Sequence, residues 1–326
     1  MKQHAFEALH QAHWQHLREL LQALEKGQGQ AKGSQHFAAD YRRLCRHLAV
    51  ARQRGYSSYL VDELEHLALR GHRQLYRHRG QLHAQLLSFV LGGLPRQVRA
   101  EWRFVLCAGL LFYGGLLMAA VLAYLFPDLL QHIISAAQVR EMEAMYDPDQ
   151  SRLGRAAERL ASEDWMMFGY YIMNNIGIAF QTYASGLLFG LGSLFFLFFN
   201  GLTIGAVAGH LSQIGYGQTF WAFVIGHGAF ELNAIVLAGA AGLKLGWALL
   251  APGHYSRAHA LRRAAAVSVQ LVYGVVLMLL LAAFVEAYWS ARTSVTALIK
   301  YGAGAGLWLA VLAYFGLAGR GTHAPD

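Results

Sequence analysis

Two hydrophobic patterns follow one another along the chain. Over the first hundred residues, apolar positions recur three and four apart among charged ones, the signature of amphipathic helices. Phe6, Leu9, Leu17, Leu20, Leu21 and Leu24 predict a helix over 3–25. A Gly/Gln/Lys linker, Gly27 to Gly33, comes next. A second helix is expected from Phe37 to Arg54, with Tyr41, Leu44, Leu48 and Ala51 on one stripe and Gly55 as its stop. A third begins near Tyr56 with Leu60, Leu64, Leu67 and Leu75, and a fourth runs from Gln81 to Leu94-Pro95.

Past residue 103 the apolar positions become continuous. Phe104 to Phe126 is a run of 23 uncharged residues, enough to cross a bilayer with some tilt. From Trp165 to Phe230 there are 66 residues without one Asp, Glu, Lys or Arg. Gln213–Gln218 is the clear polar break in that stretch. Spans are expected at 168–188, 191–210, 219–249, 267–288 and 301–317, or with 168–210 as one long or broken helix. A half-helix is expected near Asn174-Asn175 or Gly226–Gly228. Between the first span and the rest, Ile133-Ile134, Val139, Met142 and Met145 predict an amphipathic helix on the outer surface. The expected architecture is therefore all-α, a polytopic membrane protein of five to six transmembrane helices. It comprises a cytoplasmic helical domain over 1–102 and a transmembrane domain over 103–320. Residues 127–164 form its extracytoplasmic amphipathic segment, and 321–326 a short tail.

Composition agrees and excludes the alternatives. Of 326 residues 56% are hydrophobic and 14% charged, against roughly 25% charged in soluble domains. Mean hydropathy is +0.30. An ordinary soluble enzyme, a disordered tail and a disulfide-stapled module do not fit, and the unbroken apolar runs do not suit a porin-type barrel. Cys45 and Cys107 have no pairing or zinc-type spacing. Residues 1–30 contain no apolar segment of signal-peptide type.

Charge supplies topology. The net charge is +8, and 16 of the 27 Lys and Arg lie at or before Arg103. Residues 127–164 hold eight acidic residues against four arginines, while Lys244, Arg257, Arg262 and Arg263 surround a later loop. By the positive-inside rule, the basic segments face the cytoplasm and both termini lie inside, and the chain reads as a multi-pass inner-membrane protein anchored in lipid by its own spans. The basic excess thus marks topology, and no nucleic-acid partner is expected.

Candidate chemistry lies inside the spans. Glu231 is the only acidic residue between Asp164 and Glu286, and His227 lies four positions before it on the same helix face. A charge in mid-span costs roughly 2.5–3.5 kcal/mol on insertion scales, so it needs a partner, a cavity or a proton. Three readings are open: a structural His–Glu hydrogen bond, an ion or proton pathway, or a metal-dependent hydrolase. For a metal, the His-x-x-x-Glu spacing of His227 and Glu231 offers only two ligands and matches no metalloprotease motif. Asn174, Asn175 and Asn200, with Asn233, are amides in apolar surroundings, suited to interhelical hydrogen bonds. Glu286, beside Tyr288 and Trp289, is placed to snorkel at the outer end of its span. Asn174, Asn175, Asn200, His227, Glu231 and Glu286 form the candidate polar set. Gly186 and Gly190, then Gly201, Gly205 and Gly209, then Gly242 and Gly246 repeat at four-residue intervals, which suits tight helix packing or a dimer seam. No nucleotide motif or catalytic residue stands out, and no cofactor is expected.

Several of these motifs together resemble the stage II sporulation protein M family, in the longer form of bacteria that do not sporulate. The matching pieces in the N-terminal part are Trp14 with Leu17 and Leu20-Leu21, Tyr41-Arg42 with Leu48 and Ala51-Arg52, Gly71-His72 with Tyr76, and Leu94-Pro95 with Arg99. In the membrane part they are Asn174-Asn175-Ile176, Gly186–Gly190, Asn200-Gly201 with Gly205, and His227-Gly228 with Glu231. Gly239, Gly242, Arg262 and Glu286 complete the series. The resemblance implies a polytopic membrane scaffold, which in spore formers serves two peptidoglycan-degrading enzymes during engulfment. It also implies a nearby AAA+ ATPase of the MoxR type as a partner for homologues like this one. The large N-terminal domain departs from the sporulation members. The leading expectation is a homodimeric, non-enzymatic scaffold for cell-envelope partners. The alternatives are an ion or proton channel or transporter using Glu231, His227, Asn174 and Asn175, and an intramembrane metal-dependent hydrolase with His227, Glu231 and either Asn174 or Glu286 around the metal.

Overall fold

The computed structural model describes residues 2–25, 37–75, 81–129, 134–149, 161–292 and 294–320. The Gly27–Gly33 linker, Ile133, Tyr76 and the 321–326 tail lie outside the described residues, as does 150–160 of the acidic segment. Two compact units divide the chain, Met1–Leu87 and Ser88–Asp326.

The first unit is built on helices α1 (Gln3–Glu25), α2 (Phe37–Gln53) and α3 (Ser58–Leu75). Their apolar stripes close on one core. Leu17 and Leu21 of α1 meet Leu44 and Ala51 of α2 and Leu60, Leu64 and Leu67 of α3. Leu9 is the exception, 65% exposed, because it falls off the edge of the stripe centred on Phe6, Leu17 and Leu21. Trp14 and His47 take part in the core instead, joined by a 3.0 Å hydrogen bond from the indole Nε1 to His47 Nδ1. Gly71 lies against the Tyr41 ring, where a Cβ would stand 2.7 Å from Cδ2.

Helix α4 (Gln81–Ser88) does not stop at Leu94-Pro95. It passes through a π-helical turn, Phe89–Gly93, into α5 (Leu94–Ala100), where Pro95 sits in the first turn and needs no amide partner. Leu94 and Val98 pack with Leu271 and Val275 of the second unit, so the unit boundary falls ahead of residue 102.

The second unit continues with α6 (Trp102–Leu125), α7 (Ala136–Tyr146), α8 (Ala161–Ala184), α9 (Leu191–Gln213), α10 (Gly217–Leu250), α11 (Arg257–Val285) and α12 (Ala297–Leu317). A π-helical turn, Glu286–Ser290, extends α11. Among the described residues, five helices are long and apolar enough to cross a membrane: α6, α9, α10, α11 with its extension, and α12. Helix α8 is 24 residues long but carries Asn174, Asn175, Gln181 and Thr182, which keep its hydropathy below theirs. The 168–210 stretch is therefore two helices. The break lies at Ser185–Gly190, with Phe189 at φ 55° and Gly190 at φ 84°, and not at either expected half-helix. Asn174-Asn175 and Gly226–Gly228 lie within unbroken helices.

Helix α10 is the axis of the bundle, two thirds buried over its most apolar window, while α6 and α12 leave most of theirs outward. Leu110, Leu117, Phe195 and Leu309 are more than half exposed. An outward apolar surface of this kind belongs in lipid. The helices approach through glycine. A Cβ on Gly201, Gly205 or Gly209 would stand 2.1 to 2.4 Å from the carbonyl oxygens of Phe112, Leu116 and Ala120 on α6. Gly186 would meet the Gly242 carbonyl at 2.2 Å, and Gly246 the Gly190 nitrogen at 2.2 Å. These seams lie within one chain, so the glycines are occupied there and do not supply a face for a second copy. Lys244 of α10 pairs with Glu101 ahead of α6 at 2.7 Å, at the end of the bundle opposite α7.

Candidate functional site

Phe220, Phe223, His227 and Glu231 follow one face of α10, spaced three, four and four apart. That face looks onto a cavity of about 300 Å³. Helix α8 contributes Tyr170, Tyr171, Asn174 and Asn175, α9 contributes Thr203, Ile204 and Val207, and the π-helical turn after α11 contributes Glu286. The widened turn matters because it directs Glu286 and Ser290 toward α10, and both are buried.

His227 is 5% exposed, and its Nδ1 lies 3.1 Å from Ser290 Oγ. Its Nε2 faces Glu231 Oε2 at 4.0 Å, beyond hydrogen-bonding distance. The expected His–Glu hydrogen bond is thus not formed. A ligand atom from each of His227, Glu231 and Glu286 lies within 4.8 Å of the others. Asn174 Nδ2 donates to Asn175 Oδ1 at 2.9 Å, while Asn175 Nδ2 is buried without a hydrogen-bond partner among the described residues. Lys300, 2% exposed at the start of α12, donates from Nζ to the Ser290 carbonyl at 2.7 Å.

Helix α7 closes the cavity at one end with Met142, Met145 and Tyr146. Its start is fixed by a capping box between Ser135 and Gln138. Glu143 lies 2.7 Å from His210 Nε2, and Thr219 Oγ1 donates to the Tyr146 carbonyl at 2.6 Å, so α7 is tied to both α9 and α10. The sequence pattern places this helix on a surface, but its Met and Tyr side chains turn inward.

Five of the six candidate polar residues meet at the cavity: Asn174, Asn175, His227, Glu231 and Glu286. Asn200 does not join them, because its Nδ2 returns to the Phe196 carbonyl of its own helix at 2.7 Å. Asn233 is an interhelical link, accepting from Tyr113 Oη at 3.2 Å. Glu286 does not snorkel; it is 9% exposed inside the bundle. Sequence reasoning missed Ser290 and Lys300. The signal for Ser290 was its four-residue spacing from Glu286, and for Lys300 a lone cation opening an apolar helix.

The family model described as Stage II sporulation protein M matches residues 107–291. A second model, Domain of unknown function (DUF8413), matches residues 4–77. Uncharacterized protein MJ0793 of Methanocaldococcus jannaschii is similar, 30% identical over 79 residues. That alignment covers 24% of this chain and 44% of the relative's length. No solved structure matches.

Proposed function

The chain belongs to the Stage II sporulation protein M family, and from that premise we propose that it is a membrane-anchored assembly platform. The observation that carries the reading is the division into two separately cored helical units, each matching its own family model. One unit is fastened through glycine-to-backbone seams and turns apolar side chains outward; the other exposes mostly polar and charged side chains, with Leu9, Tyr59 and Leu69 as apolar exceptions. In this reading both termini lie in the cytoplasm of a bacterial inner membrane. Two copies associate in the bilayer through surfaces other than the glycine seams. The N-terminal unit engages cell-envelope enzymes or an AAA+ ATPase of the MoxR type. Cross-linking mass spectrometry on the full chain in native membranes tests this. The platform reading expects links between copies and from the N-terminal unit to a stoichiometric partner. A monomer linked to nothing contradicts it.

The cavity favours a second reading, an ion or proton pathway through Glu231, His227, Asn174 and Asn175, because transporters place such groups within the membrane. Proteoliposomes should then show a flux that Glu231→Gln reduces, and no flux under any imposed gradient removes this reading.

A further inference from the structure

We propose that His227, Glu231 and Glu286 form a binding site for a first-row divalent cation of the zinc or manganese class, buried in the cavity between α8, α10 and the π-helical turn after α11. The site stands independently of the platform and pathway readings.

The donor set is one imidazole nitrogen and two carboxylate oxygens, drawn from two elements 55 residues apart in sequence and within 4.8 Å of one another. Imidazole with carboxylate suits zinc and its neighbours. For bonds of about 2.1 Å a tetrahedral edge is about 3.4 Å, and rotation of the two flexible Glu side chains takes up the difference. One tautomer of the imidazole suits the role. The tautomer that donates Nδ1–H to Ser290 Oγ leaves the Nε2 lone pair facing Glu231, which is the way metal-binding histidines are oriented by a second partner. The π-helical turn supplies both Glu286 and Ser290, so one local irregularity delivers a ligand and the group that orients another.

Charge points the same way. A dication held between two carboxylates this close in an apolar bundle would neutralise both at once. Three protein donors leave a coordination position open, as in catalytic zinc sites, and the cavity has room for several waters or a small ligand. Asn175 Nδ2, buried and unpartnered, lines that space and is a donor for an oxygen held on the cation.

The test uses the full chain purified in mild detergent, stripped with chelator, exposed to Zn²⁺ or Mn²⁺ and desalted. With 16 histidines in the chain, the difference between variants is what counts. The wild type is expected to retain one equivalent more than Glu286→Gln and Glu231→Gln, whereas Asn200→Ala retains as much as the wild type. The wild type and Asn200→Ala should also show a metal-dependent rise in melting temperature that the Glu variants lack. With Cys45 and Cys107 replaced by Ala, His227→Cys loaded with Co²⁺ keeps a ligand at the position, and a thiolate-to-cobalt band in the near ultraviolet is expected. This band decides the matter if the Glu variants do not fold. Folded wild type that retains neither ion, equal retention in the Glu variants, or His227→Cys without the band overturns the site.

Discussion

His227 and Ser290 are 63 residues apart in sequence and 3.1 Å apart in space, and their contact ties the middle of α10 to the end of α11. The imidazole is 5% exposed and the serine 1%. Ser290→Ala removes the hydroxyl partner of a buried ring nitrogen, a loss of about 0.5–1.5 kcal/mol. A lower unfolding temperature in detergent is expected, with Ser290→Thr closer to the wild type than Ser290→Ala. Equal stability of Ser290→Ala and wild type would remove the contact from the account.

The glycine seam between α6 and α9 should tolerate no side chain. Gly205→Ala would place a methyl 2.1 Å from the Leu116 carbonyl oxygen, where backbone has to move. Overpacking typically costs about 1–3 kcal/mol, so the variant should show reduced thermal stability and yield. Gly114→Ala on the neighbouring helix meets nothing within 4 Å and serves as the control. Equal behaviour of the two variants would contradict the seam.

In the N-terminal unit, burial first, and then His10, His13, Arg43 and Arg46, push the His47 imidazole from 6.5 down to about 4. The Trp14 bond explains the same preference, since Nδ1 accepts from a donor that cannot reverse. Because the folded value lies below the unfolded one, the unfolded state binds more protons between them. Stability is full above pH 6.5 and falls as pH drops toward 4. Amide hydrogen exchange of α1 and α2 in the full chain, corrected for intrinsic rate, should show that loss. Protection that does not change across this window would be the wrong outcome.

Lys244 and Glu101 are 19% and 13% exposed and lie 2.7 Å apart, so the pair is only weakly screened. Lys244→Ala strands a largely buried carboxylate, and a loss of about 1–3 kcal/mol is expected. A double-mutant cycle with Glu101→Gln should return a favourable coupling energy; strict additivity would show that the pair does not interact.

Much of this molecule is legible in its amino-acid sequence. Apolar runs and charge blocks locate the membrane helices, because a bilayer imposes length and hydropathy on a continuous segment. The amphipathic stripes likewise find the core of the N-terminal unit, apart from Leu9 and the Trp14–His47 pair. What the pattern could not show is where a helix widens. The π-helical turns at Phe89–Gly93 and Glu286–Ser290 keep helical spacing in sequence but change which side chains point inward. Glu286 therefore reads as a residue for the interface and sits instead beside His227. Asn200 and Asn175 look alike in sequence, both amides in apolar surroundings. One satisfies itself on its own helix, the other lines the cavity, and only packing separates them.

The central claim is that α10 and the turn after α11 bring Glu231 and Glu286 to one intramembrane site. Cysteine cross-linking in native membranes tests it most directly, using a full chain with Cys45 and Cys107 replaced by Ala. With Glu231→Cys and Glu286→Cys together, a short thiol cross-linker should join the two positions within one chain, whereas Asn200→Cys with Glu286→Cys should not react. Failure of the first pair to cross-link, with both thiols present and the protein folded, would contradict the site.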